Sequence, residues 1–151
     1  MRALIVLGLI GILAACGAGT PAPQGAGRIY VLREAADFAS NQSATITLDS
    51  RVAGALASGR YLVLDVPAGH HVFGASDPWT TSLVSFELNP GEAIYFNVST
   101  GGGLGTGAPT LRQRIGAQPK LVHPEREGIY KVDVLSQPDG EAALARLAPS
   151  Q

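Results

Sequence analysis

The apolar positions of this chain recur at period two or in short runs, and hardly anywhere at the 3.6-residue period of a helix. Arg28 to Arg33 (RIYVLR) is apolar on both faces, which predicts a central strand. Ala44, Ile46 and Leu48 alternate with Thr45 and Thr47, as in a half-buried strand; Asp49-Ser50 offers a turn, and Val52 to Leu56 a weaker partner strand. Arg60 to Val66 (RYLVLDV) is β-branched and aliphatic until Pro67-Ala68-Gly69 breaks it, and His70 to Ala75 then returns. Val84, Phe86 and Leu88 alternate with Ser85 and Glu87. Asn89-Pro90-Gly91-Glu92 follows, with proline and then glycine at the turn centre as a type II turn requires. Ile94, Phe96 and Val98 point inward from Ala93 to Ser99, and Tyr130, Val132 and Val134 oppose Lys131 and Asp133. Glu141 to Leu147 (EAALARL) is the one convincing helical piece.

These elements predict an all-β fold: an antiparallel β-sandwich of about seven strands with one short C-terminal helix. Leu62, Leu64 and Val66 are expected to share one core with Val84, Phe86, Leu88, Ile94, Phe96 and Val98. Ser85 and Glu87 are assigned to the opposite, solvated face.

The N-terminus has a different pattern. Met1-Arg2 is a short positive start, Ala3 to Leu13 an uncharged apolar run, and Ala14-Ala15 a pair of small residues before Cys16. This is the layout of a secretory signal, and the run is shorter than the roughly 20 residues of a membrane span. Leu13-Ala14-Ala15-Cys16 resembles the lipobox of bacterial lipoproteins. That resemblance implies cleavage before Cys16, diacylglycerol on its sulfur and usually a third acyl chain on the freed amine. The alternative is an ordinary secretory signal with Cys16 incidental. Two or three chains anchor stably where one holds only marginally. Gly17 to Gly27 (GAGTPAPQGAG) has no large apolar residue and the composition of a flexible tether. The expected organisation is therefore a signal peptide over 1–15, a lipidated cysteine and tether over 16–26, and a β-sandwich domain over 27–151.

The run from Asp49 to Phe73 contains V-A-G-A-L followed by G-R-Y-L-V-L-D-V-P-A-G-H-H-V-F, and Gly27 to Arg33 reads G-R-I-Y-V-L-R. Over roughly residues 27 to 100 this resembles small bacterial envelope lipoproteins of an uncharacterised domain family, close in style to PEGA-type β-sandwich domains. The resemblance implies fold and cellular address, and brings no catalytic residues. Gly17, after the cysteine, lacks the aspartate typical of inner-membrane retention, so in a cell with two membranes the resemblance implies the outer membrane, facing the periplasm.

Composition narrows the function classes. Hydrophobic residues make up 46% and charged residues 15%, and 19 glycines and 10 prolines cut the chain into short pieces. Net charge is −1, from 11 Lys+Arg and 12 Asp+Glu, and −2 once Arg2 leaves with a leader. A near-neutral chain lacks the basic field of a dedicated nucleic-acid binder. The single cysteine precludes an intrachain disulfide.

Candidate chemistry is sparse. The cluster from Gly101 to Gly107 is followed by Ala108-Pro109, so it has neither the lysine of a phosphate loop nor a helix opening at its glycines. A flexible loop is the better account. His70 and His71 are adjacent, hence on opposite faces of a strand, and cannot share a metal; His123 lies apart. No paired spacing of a zinc or calcium site occurs, and no cofactor is read. A histidine could meet Asp65 or Asp77 in space, with packing or a surface role the usual outcome. No serine lies in Gly-x-Ser-x-Gly, and Ser58-Gly59 is a turn. Arg112, Arg114 and Lys120 form a small basic segment without an acid, suited to an acidic partner or lipid headgroups, or simply solvated. Trp79, after Asp77-Pro78, is either an exposed anchor or a seal at one end of the sandwich.

The reading that follows is a non-enzymatic envelope lipoprotein, membrane-held through lipid on Cys16, presenting an interaction surface to another envelope protein or polymer. A small-ligand, glycan or lipid-binding module is the alternative, favoured by a polar cleft around Trp79, His71 or Asp65. A hydrolase ranks third and would need a nucleophile beside a base.

Overall fold

The computed structural model describes residues 23–35, 42–100, 123–126 and 129–150. Among these, ten strands and one helix follow in order: β1 (Ala26–Arg33), β2 (Ala44–Leu48), β3 (Arg51–Leu56), β4 (Arg60–Pro67), β5 (Gly69–Ser76), β6 (Thr81–Leu88), β7 (Ala93–Thr100), β8 (His123–Arg126), β9 (Tyr130–Leu135), α1 (Gln137–Leu144) and β10 (Ala148–Pro149). They form two five-stranded sheets, ordered β10-β4-β1-β7-β9 and β3-β2-β5-β6-β8. The all-β, two-sheet architecture with one short helix is as the hydrophobic pattern predicts.

Two details differ. The first sheet is mixed, because β1 runs parallel to β7 and β10 parallel to β4. The described residues form ten strands where about seven were expected. Two strands that the pattern did not predict, β8 and β10, lie at sheet edges; both contain a proline, which edges tolerate.

The core lies between the sheets. Ile29 and Val31 of β1, Ile94, Phe96 and Val98 of β7 and Val134 of β9 face Ala44, Ile46, Phe73, Ala75, Val84, Phe86 and Leu88 of the second sheet. Phe96 joins the layers: its ring stacks on Phe73 at 4.7 Å between centroids and meets Phe86 edge-on at 5.1 Å. Leu62, Leu64 and Val66 pack against this cluster, as expected, but are only partly buried. Ser85 departs from expectation, since it is only 6% exposed while its neighbour Glu87 is exposed. It sits on an inner strand, opposite Val72 on one side and His123 on the other, so both of its flanks are occupied.

Of the connections whose residues are all described, three cross between the sheets (β3–β4, β4–β5 and β6–β7) and two close hairpins within the second (β2–β3 and β5–β6). The β2–β3 hairpin has Asp49 and Ser50 at its centre, both with positive φ (50° and 66°), the mark of a type I′ turn that matches strand twist. The β6–β7 crossing is the predicted type II turn: Gly91 has φ 72°, and the Glu92 N–H donates to the Asn89 carbonyl at 3.0 Å.

The helix begins four residues before the expected Glu141. Ser136 caps it by accepting from the Asp139 N–H at 3.3 Å, and Pro138 is harmless in the first turn, where its missing N–H has no partner anyway. Pro138 and Gly140 hide this start from a propensity reading. The helix covers part of the outer face of the first sheet, burying Leu32, Tyr95, Leu135 and Ala143 together. Thus β1 is covered on both faces, which is why RIYVLR does not alternate.

Candidate functional site

The strand register defines two ends of the sandwich. At one end Ala26 pairs with Pro67, the Arg28 N–H donates to the Glu92 carbonyl, and the Gly91 N–H donates to the Ala26 carbonyl. The Ala68 N–H reaches the Gly25 carbonyl at 3.2 Å. The chain from the N-terminus enters here, and its contacts begin slightly earlier than the expected boundary at Gly27, through backbone bonds that need no apolar side chain. At the other end Arg33 pairs with Arg60, Ser76 with Thr81 and Thr100 with Tyr130. The eight residues of β1 separate the ends by about 25 Å.

Trp79 lies at the second end, in the β5–β6 turn, and is 89% exposed. It does not seal the sandwich but stands exposed. The turn beneath it is well bonded. Asp77 Oδ1 accepts from the Trp79 N–H at 2.9 Å, the Thr80 N–H at 2.6 Å and the Thr80 hydroxyl at 3.1 Å. These donors, the Thr80 N–H foremost, hold the Asp77 carboxyl below the usual carboxylate range. Thr80 Oγ1 in turn accepts from the Ile129 N–H at 3.0 Å, which brings a second exposed apolar residue to the same end.

The histidines behave as their adjacency requires. His70 is exposed and faces Glu87, with Nδ1 to Oε1 at 3.1 Å. His71 turns inward and is 8% exposed; Nδ1 lies 2.8 Å from Asp49 Oδ2 and Nε2 lies 2.8 Å from the Pro67 carbonyl. Neither Asp65, paired with Arg28 on the other sheet, nor Asp77, in the β5–β6 turn at the opposite end, is its partner. Asp49 Oδ1 also accepts from the Val72 N–H at 2.9 Å. Burial pushes the His71 pKa down, yet the bonds to Asp49 and Pro67 outweigh it and leave the value raised. For Asp49, burial is likewise outweighed, here by the Val72 N–H and His71, and its pKa is lowered. With Nε2 against a carbonyl oxygen, this acid–imidazole pair has no ring nitrogen facing a nucleophile.

On the outer face of the first sheet Arg28 and Asp65, directly opposite in register, form a two-pronged ion pair: Nε to Oδ1 at 2.6 Å and Nη2 to Oδ2 at 2.9 Å. The guanidinium holds the Asp65 carboxyl below its usual range, and Asp65 raises Arg28. Beside it, Tyr30 and Tyr95 stack at 4.8 Å. Arg33 is 2% exposed. Its Nη1 donates to the Gln42 carbonyl at 2.5 Å and the Leu56 carbonyl at 3.0 Å, and the guanidinium lies 5.3 Å from the Tyr130 ring centre. Sequence reasoning treated Arg33 as a strand end and missed the Asp49–His71 pair, whose members are 22 residues apart.

Of the residues read from sequence as lipidation or interaction sites, Trp79 alone lies among the described residues. Cys16, the Gly101–Gly107 cluster, Arg112, Arg114 and Lys120 lie outside the described residues. Among the described residues no group of three or more His, Cys, Asp or Glu side chains could hold a metal, and no helix is long and apolar enough to cross a membrane. Comparisons of the chain with protein-family models, curated proteins and solved structures find no match. The fold thus defines a class, an all-β two-sheet domain, here with an exposed tryptophan on the β5–β6 turn.

Proposed function

We propose that this chain is a bacterial envelope lipoprotein, held to a membrane by lipid on Cys16, whose β-sandwich presents the Trp79 turn to another envelope component. The observation that carries the reading is the placement of Gly25 and Trp79 at opposite ends of the domain. A tether entering at the Gly25 end leaves the Trp79 end directed away from the anchoring surface. An exposed tryptophan on a turn stiffened by Pro78 and by three bonds to Asp77 loses little conformational freedom on binding, which suits an anchor for a partner. The leader, the lipobox-like Leu13-Ala14-Ala15-Cys16 and the PEGA-like sequence pattern support the address. In a cell with two membranes the site is the outer membrane, facing the periplasm.

Replacement of Cys16 by Ser is expected to move the protein from the membrane fraction to an uncleaved or soluble form, with intact mass showing loss of the acyl chains. A photoreactive residue at position 79 of the lipidated protein is expected to trap one discrete envelope component. An unlipidated mature chain beginning elsewhere than Cys16 would overturn the anchoring, and absence of any adduct at 79 would overturn the role of the turn.

A further inference from the structure

The interior of the tether end holds one ionisable ring with an acceptor on each side. His71 Nδ1 faces the Asp49 carboxylate and Nε2 faces the Pro67 carbonyl, both at 2.8 Å. Neither a carboxylate nor a carbonyl has a proton to donate. A neutral imidazole has one N–H and can satisfy one of them; the imidazolium satisfies both. These acceptors belong to separate segments. Asp49 is the β2–β3 turn, and its second oxygen holds the Val72 N–H. Pro67 ends β4, and the next residue, Ala68, holds Gly25, where the chain from the N-terminus joins the domain.

We propose that His71 is a proton-operated clasp: as a cation it ties the Asp49–Ser50 turn to the Pro67–Gly69 corner that holds Gly25, and on losing a proton it releases one of the two. The surrounding charges are consistent with His71 as the titrating group. Glu87 on β6 adds negative potential, and His70, on the opposite face of β5, pairs with that same Glu87. Asp65, the acid of β4, is engaged by Arg28, and Glu92 in the β6–β7 corner accepts from the Asn89 N–H and side-chain amide. From β6 the nearest ring is Phe86, centred 5.8 Å away, which cannot titrate. Asp49 stays ionised throughout the range in which an imidazole changes charge, since its own pKa is lowered. The device would tighten the membrane-proximal end of the domain in acid and loosen it as pH rises.

Nitrogen-15 spectroscopy of the histidine rings in the full chain, held in detergent micelles, reads the clasp directly. At about pH 6 both ring nitrogens of His71 should carry protons, with a titration midpoint above the ordinary histidine value of about 6.5. As His71 deprotonates, the Val72 and Ala68 amides should lose hydrogen-exchange protection, corrected for intrinsic rates. The loss should be about tenfold for each pH unit by which the folded midpoint exceeds the unfolded one. His71→Gln should remove this pH dependence, and His70→Gln should keep it. A His71 ring with one proton at about pH 6 would overturn the proposal. So would Val72 and Ala68 protection that stays constant while His71 titrates, or pH dependence that disappears with His70→Gln.

Discussion

Tyr95 fills the space that a side chain at residue 140 would need: a Cβ built on Gly140 would collide with the Cγ and Cδ1 atoms of the ring. This contact brings α1 against β7 and closes the small outer core of Leu32, Leu135 and Ala143. Gly140→Ala adds about 1 kcal/mol of helix propensity but overpacks the contact by about 1–3 kcal/mol, so a net loss of stability is expected. Denaturant titration checks it. The further change Tyr95→Ala should then cost less in the Gly140→Ala background than in the parent, because the two sites are coupled. A stabilised Gly140→Ala protein would mean that α1 can move off the ring at little cost.

Phe86 should dominate the energetics of β6. Its ring is 2% exposed and meets Phe96 of the opposite sheet, so Phe86→Ala is expected to cost about 3–5 kcal/mol. Glu87→Gln, on the exposed side, should change stability by less than about 0.5 kcal/mol. Equal midpoints and slopes in denaturant for the two variants would contradict the two-layer core.

Trp79 is the single tryptophan of the chain, so intrinsic fluorescence reports the turn alone. In the free protein its emission should be red-shifted and readily quenched by soluble quenchers, and it should shift to the blue when a partner covers the ring. Trp79→Ala should leave folding stability within about 0.5 kcal/mol, because 89% exposure leaves little burial to lose. Shielded, blue emission from the free protein would place the ring against protein instead.

Stability should have two pH limits. His71 has a raised pKa, so its contribution is complete below the unfolded value near 6.5 and is lost as pH rises through the higher folded value. Asp49 and Asp65 have lowered pKa values, so their contributions are present above the unfolded value of 3.8 and are lost as pH falls through the lower folded values. Thermal denaturation should therefore show a plateau in mildly acidic buffer with a decline on each side. Asp49→Asn should weaken the alkaline decline, because the imidazolium then lacks its anionic partner. An undiminished alkaline decline in that variant would assign it to another group.

Much of the architecture was legible because burial imposes a period. Ala44, Ile46 and Leu48, or Ile94, Phe96 and Val98, declare the inner face of a strand, and Asn89-Pro90-Gly91 declares a turn through the φ values its residues permit. Edge strands such as Ala148–Pro149 bury too little to leave such a mark, and α1 starts in residues of poor helix propensity because a cap and a tyrosine ring hold it there. The buried state of Ser85 was equally hidden, since a hydroxyl reads as outward wherever the alternation runs.

The sequence by itself determined the strands that carry an alternating or apolar pattern, the apolar side chains they turn to the core, the turns at Asp49-Ser50 and Asn89-Pro90-Gly91, and that the two neighbouring histidines point apart. All of these follow from local sterics and from the period of the strand. Only the tertiary structure decided that Asp49 and Pro67 meet His71 from both sides, that Arg33 is enclosed at the far end, and that Trp79 stands opposite the entry of the chain. Asp49 and His71 are 22 residues apart and Arg33 and Leu56 are 23 apart, and even the short Pro67–His71 contact spans the step from one sheet to the other, so the geometry depends on how two sheets stack and which ends coincide. A periodic pattern carries no record of that.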